Sequence, residues 1–156
     1  MKFYAIKENH LYKKAYHGGK SRQSRTLCVY VLRDRAANLL KKQNPLKEKL
    51  NRIGISASKK VGGAVQRNRA KRIIREAYRQ IDKHIGVKKG YLIVICPRKE
   101  CTVSKTADVE KDLLYCLSSL NMLCGEDEKE ATSVPSNTVP PVALPCEPDK
   151  NVKNNE

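Results

Sequence analysis

A chain of 156 residues with 40% hydrophobic side chains is long enough to bury one core without disulfides or a metal, and its net charge of +16 makes indifference to polyanions untenable. The charge is unevenly spread, since residues 1–123 hold 29 basic and 9 acidic side chains, a net of +20, whereas residues 124–156 hold 3 and 7, a net of −4. No apolar run approaches membrane-spanning length and no secretory core opens the chain, so a reducing cytoplasm is the expected setting, without a membrane partner.

In chain order, a first helix is expected from about Asn9, which can cap it, to Tyr16, with Gly18 and Gly19 ending it. Tyr12 and Tyr16 are i, i+4 neighbours on that helix. A strand follows over about Thr26–Arg33, where Leu27, Val29 and Val31 alternate with Cys28, Tyr30 and Leu32. The charged stretch Asp34–Leu50, which contains Pro45, reads as a long connection with room for a further strand or a marginal helical turn. From about Arg52 to Ser58 a second strand places Ile53, Ile55 and Ala57 on one side and the small residues Gly54 and Ser56 on the other, leaving room there for a ligand.

The next segment is a helix that starts between Gly63 and Arg67 and runs to about His84. Ala70, Ile73, Ile74, Ala77, Tyr78 and Ile81 recur at helical spacing as a core stripe, while Asn68, Lys71, Arg72, Arg75 and Arg79 share the opposite face with Glu76 as its one acid, at the edge. Like charges at i, i+3 and i+4 each cost a helix roughly 0.2–0.5 kcal/mol. A solvated helix face ordinarily mixes signs, so this row points to a polyanion, and the arginine forks suit phosphate and stacked bases. RNA or DNA is the expected partner. Tyr91–Cys96 is apolar enough for a central strand, stopped by Pro97, and a last helix capped near Thr106 carries Val109, Leu113, Cys116, Leu117 and Leu120 as its stripe. The order α-β-β-(β)-α-β-α gives an α+β fold, a small mixed sheet packed with helices. Residues 124–156, with Pro135, Pro140, Pro141, Pro145 and Pro148 and no periodic apolar pattern, read as a disordered acidic tail on a domain spanning 1–123.

Catalytic constellations are missing from this reading. His10, His17 and His84 have no partner motif and read as surface residues, and no catalytic residue is assigned. Asp108, Glu110 and Asp112 form the only acid cluster of the body, in the first turns of a helix, where complementing the helix dipole accounts for them, so no metal site is assigned either. The six cysteines contain no C-x-x-C pair, and buried thiols fit Cys28, Cys96 and Cys116 better than a zinc site. Gly62 and Gly63 precede a helix but lack the P-loop pattern. Tyr12, Tyr16 and Tyr30 can form a stacking platform for bases or belong to a small core, and the sequence leaves both open.

The run Lys59-Lys60-Val61-Gly62, then Ala64-Val65-Gln66-Arg67-Asn68-Arg69-Ala70-Lys71-Arg72 and Arg75, resembles the signature of the bacterial ribonuclease P protein subunit. The likeness reaches back through Arg52-Ile53-Gly54-Ile55-Ser56-Ala57-Ser58 and the spacing of Tyr12, Tyr16, Gly19, Arg25 and Tyr30, covering about Lys7–Leu123. It implies a protein that binds a catalytic RNA subunit and the 5′ leader of precursor tRNA, while RNA and Mg²⁺ hydrolyse the phosphodiester. It also implies a left-handed strand-helix-strand crossover around the Arg-Asn-Arg helix, against the usual right-handed rule. By the same resemblance Lys59, Lys60, Arg67, Asn68, Arg69, Lys71, Arg72 and Arg75 would face the RNA subunit, and Tyr12, Tyr16 and Tyr30 would line the leader cleft. Tyrosine on the first helix replaces the family's more common phenylalanine. The 34–50 connection is longer than the family usually has, and the acidic tail has no counterpart in its compact members. No protein partner is evident. The rival expectation is a plain RNA-binding module such as a ribosomal protein, which would share the charge without needing a leader-sized groove.

Overall fold

The computed structural model describes residues 4–36, 39 and 51–124. Most of the expected 34–50 connection, the expected tail beyond Cys124 and Cys146 lie outside the described residues. The elements are β1 (Tyr4–Ala5), α1 (Asn9–Gly18), β2 (Lys20–Gln23), β3 (Leu27–Arg33), β4 (Arg52–Ile55), α2 (Ala64–His84), β5 (Tyr91–Pro97) and α3 (Thr106–Ser119), with 3₁₀ turns at Lys59–Val61 and Lys99–Thr102. The strands form one sheet in the order β1-β4-β5-β3-β2, parallel between β1, β4 and β5 and antiparallel from β5 through β3 to β2. The mixed α+β sheet expected from sequence is therefore present, and α2 connects two parallel neighbours, β4 and β5.

Alternation in β3 sorts the two faces of the sheet. Leu27, Val29 and Val31 join Ile53, Ile93 and Ile95 under α2 and α3, whose inward residues include Ile74, Ile81, Leu113 and Leu117. Each such side chain is worth roughly 1.5–3 kcal/mol when fully buried. Ala70 and Ala77 are fully buried, and their size lets α2 lie close on the strands. On the opposite face α1 contributes Leu11 and Ala15 against Ile6, Leu92 and Val94. Covered on both sides, β5 has the continuous apolar sequence of a central strand.

Polar staples fix the ends of these elements. The Arg52 guanidinium donates to both Asp34 oxygens, at 2.5 and 2.7 Å. Asn51 donates to the Tyr78 hydroxyl (3.3 Å) and the Lys88 carbonyl (3.0 Å) and accepts from the Tyr91 N–H (3.0 Å), tying the start of β4 to α2 and β5.

Several boundaries differ from expectation. Glu8, not Asn9, occupies the N-cap of α1, because the extended backbone ends one residue earlier, and Lys105, next to Thr106, caps α3; neither makes a side-chain cap bond. Helix α1 also runs two residues further, through Gly18, before Gly19 caps it by donating to the Ala15 carbonyl. β4 stops at Ile55, short of Ser58, where the chain turns into the 3₁₀ turn. Two strands carry no sequence signal: β1 is two residues long, and all four residues of β2 are exposed at a sheet edge.

Candidate nucleic-acid interface

The basic helix begins with a glycine device. Gly62 has φ +143°, a conformation that side chains rarely adopt, and the Gly63 N–H donates to the Gln66 side chain at 3.0 Å, satisfying one of the free donors of the α2 N-terminus. Val61, 4% exposed, anchors the preceding 3₁₀ turn, so that Lys59 and Lys60 project into solvent. Burial of Ala70, Ile74, Ala77, Tyr78 and Ile81 fixes the rotation of α2 and leaves Asn68, Arg69, Arg72 and Arg75 exposed, with Arg67 and Lys71 half-buried. Glu76 is engaged by its own helix, accepting from Arg79 (2.7 Å) and Gln80 (2.8 Å), and the bond from Arg79 lowers its pKa. The remaining exposed guanidinium groups of the row make no ion pair among the described residues.

On the other face of the sheet the three tyrosines gather at the α1 side. The rings of Tyr16 and Tyr30 meet edge to face, with centroids 5.0 Å apart and planes at 86°. The Tyr16 hydroxyl lies 3.5 Å from the Cys96 sulfur and is hydrogen-bonded to Ser56. One turn earlier, the Tyr12 ring covers Gly54, and its hydroxyl donates to the Ile6 carbonyl at 3.4 Å. A Cβ on Gly54 would sit 2.6 Å from that ring, so the space expected on the small side of β4 is taken by Tyr12. All three rings are half-buried, packed on the small α1-side core while keeping part of their surface open. They are at once core residues and a platform. Burial raises the Tyr12 and Tyr16 phenol pKa values, helped by the neighbouring Cys96, so both hydroxyls keep their protons at neutral pH.

These two surfaces sit on opposite faces of the sheet, yet they meet around its β4 edge. β1 pairs only with Arg52 and Ile53, and among the described residues no strand covers the edge beyond it. There a depression of about 180 Å³ is lined by Ile6 and Tyr12 from one face, Lys71, Arg75 and Tyr78 from the other, and Ile55 between them.

Some side chains around these surfaces carried no signal that was used in the sequence. Cys96 and Ser56, under the Tyr16 hydroxyl, become visible only once β5 and β4 are known to be neighbours. Lys13 and Lys14 are exposed on α1 beside the tyrosine turns, and their adjacency in an amphipathic helix was an available signal. The remaining candidates resolve into structural roles. Asp112 accepts from the Thr26 N–H (3.0 Å) and hydroxyl (2.6 Å), joining α3 to the start of β3. Cys116 and Cys101 are buried, their thiols pushed up to about 11 chiefly by desolvation, whereas Cys28 and Cys96 are only half-buried. His10, His17 and His84 are exposed. Among the described residues no three His, Cys, Asp or Glu side chains are grouped as metal ligands, and no helix is long and apolar enough to cross a membrane.

A family model described as Ribonuclease P matches residues 1–121. The chain is 35% identical over 132 residues to the ribonuclease P protein component of Clostridium acetobutylicum, a match covering 85% of this chain and all of that one. Among solved structures it resembles the RNase P protein of Staphylococcus aureus (29% identity, TM-score 0.61, covering 79% of this chain and 100% of that one). It also resembles that of Thermotoga maritima (25%, 0.54, covering 74% and 94%).

Proposed function

The chain belongs to the ribonuclease P protein family, the protein component of a ribonucleoprotein endoribonuclease of tRNA 5′ processing, and on that premise we propose how its two surfaces divide the work. The α2 row, with Lys59 and Lys60 at its approach and Arg67, Asn68, Arg69, Lys71, Arg72 and Arg75 along it, holds the RNA subunit. Tyr12, Tyr16 and Tyr30 receive unpaired nucleotides of the precursor tRNA leader. The observation that carries this reading is the depression at the β4 edge, where Tyr12 meets Lys71 and Arg75. Leader and RNA subunit can thereby be held by one rigid body, which converts part of their encounter into an intramolecular one.

Mg²⁺ belongs to the RNA in this scheme. Asp112 is committed to Thr26, and no hydrolytic step is routed through this chain. The protein's contribution is to neutralise phosphate and orient substrate. We carry over from the family a left-handed sense for the β4–α2–β5 crossover, a domain spanning residues 1–123 with 124–156 appended, and a cytoplasmic setting.

The test is the ratio of precursor to mature tRNA affinity in the complex reconstituted with its RNA subunit. Tyr16→Ala should cost about 1–3 kcal/mol for the precursor and almost nothing for mature tRNA, which has no leader to stack. Tyr16→Phe should retain most of the ratio, because it keeps the ring. An unchanged ratio in a folded Tyr16→Ala protein would remove the leader assignment.

A further inference from the structure

The pairing of β3 with β5 brings two cysteines to one place. Cys28 and Cys96 are register partners across this antiparallel pair, so their side chains leave the sheet on the same face. That face is the α1 side, where Cys96 packs on the same small core as Tyr16 and Tyr30 and the Tyr16 hydroxyl stands 3.5 Å from its sulfur. Both cysteines are half-buried thiols, within reach of a small solute.

The ladder fixes how near they come. The Arg98 N–H donates to the Thr26 carbonyl (2.8 Å) and the Asp34 N–H to the Gly90 carbonyl (3.0 Å), one at each end of the pair. Hydrogen-bonded positions alternate along an antiparallel ladder, so Cys28 and Cys96 lie at one. Pro97, which has no N–H to give, falls opposite Leu27 at a position that needs none. A hydrogen-bonded pair holds its Cα atoms about 5.5 Å apart, inside the span a disulfide bridges. Its Cβ atoms lie nearer to about 5.5 Å than to the roughly 3.5–4.5 Å of a relaxed bridge, so closing the bond draws the strands together at a cost. A strained bridge of this kind is reduced readily and does not lock the fold. The other described cysteines are placed differently. Cys101 and Cys116 are fully buried in the core under α2 and α3, where desolvation holds both thiols at about 11, and Cys124 is exposed beyond α3.

We propose that Cys28 and Cys96 form a redox-modification site, which a small disulfide oxidant of the glutathione class closes into a cross-strand disulfide. The exchange passes through a mixed disulfide: one cysteine thiolate attacks the oxidant and expels its first thiol, then the second cysteine attacks the mixed disulfide and expels the other. The two protein thiols lose two electrons and two protons, and the oxidant's S–S bond becomes two thiols. Closure removes the Cys96 S–H and turns its sulfur toward β3, so the Tyr16 hydroxyl loses a partner that it has in the dithiol form. Resting on the reading of Tyr16 as a leader contact, the bridged protein holds precursor tRNA less well. Helix α2, on the other face of the sheet, keeps its grip on the RNA subunit.

The test starts from the full chain without RNA, equilibrated with oxidised and reduced glutathione, alkylated and digested with trypsin. The peptide of residues 26–33 should appear joined to that of residues 90–98, each of which holds a single cysteine. Dithiothreitol should separate them, and Cys28→Ser or Cys96→Ser should each abolish the product. Tyr16→Phe should raise the equilibrium constant for bridging about fivefold, because the hydroxyl favours the dithiol through its bond to Cys96. In the complex reconstituted with the RNA subunit, oxidation should lower the ratio of precursor to mature tRNA affinity severalfold, reversibly, and should leave Cys28→Ser unaffected. Glutathione adducts that never resolve, a bridge to another cysteine in preference, or no effect of Tyr16→Phe on bridging would each overturn the proposal. So would an unchanged tRNA ratio in the bridged protein when Tyr16→Ala does lower it. A bridge that forms as expected, with the ratio unmoved by oxidation and by Tyr16→Ala alike, would uphold the redox site and remove the leader assignment instead.

Discussion

Gly54 shows how one residue type can shape a surface. Its lack of a side chain lets the Tyr12 ring lie against β4, and Tyr12 in turn forms one wall of the depression shared with Lys71 and Arg75. Gly54→Ala should push the half-buried ring outward, costing about 1–3 kcal/mol of stability from overpacking and lowering the affinity for precursor tRNA. The approach of ring to strand can be isolated by a double-mutant cycle. In a Tyr12→Ala background the same substitution should cost far less, because the atoms it would strike are gone. Equal losses of melting temperature in both backgrounds would mean that the Gly54–Tyr12 approach does not govern the site. The small side of β4 was legible in sequence as space. That Tyr12 fills the space was not, because helical periodicity says nothing about which strand lies beneath α1.

Among the elements, α2 was the most legible because two signals coincide in it. A 3.6-residue apolar stripe and a one-sided charge pattern both fix its rotation, and the structure buries the one and exposes the other. β2 was illegible for the opposite reason: Lys20-Ser21-Arg22-Gln23 has no apolar face, and it is a strand only because β3 offers an edge to pair with. The Asn9 cap assignment failed although Asn9 has the right chemistry, because its position is set by where the preceding segment stops being extended, whereas the last helix is capped next to Thr106 as expected. For α2 the charge pattern makes a quantitative prediction. Arg72→Ala with Arg75→Ala should weaken binding to the RNA subunit and lower the slope of log affinity against log salt by about 0.9 for each phosphate that is no longer neutralised. Stability should hold or rise slightly, since both side chains are exposed and their mutual repulsion is removed. An unchanged slope would mean that these arginines do not face the RNA.

For the whole molecule, packing rather than composition shows how firmly the last described residues are held. The charge reversal near residue 124 set the expected boundary in sequence, but said nothing of how Met122 and Leu123 pack. Met122 and Leu123 are 1% and 4% exposed in the main core, and Asn121 turns the chain into them with φ +53°, a left-handed conformation that asparagine tolerates. Two truncations should therefore behave very differently. Ending the chain after Cys124 leaves every described interaction in place and should change unfolding free energy by no more than about 0.5 kcal/mol. Ending it after Asn121 deletes two buried side chains and the backbone bonds to Lys88 and Gly86, and should cost more than about 3 kcal/mol. Urea unfolding of the two proteins is the measurement. Comparable losses in both would place part of the stabilising core beyond Cys124, and no loss in the shorter one would mean that Met122 and Leu123 are not needed to close the α2–α3 side of the sheet.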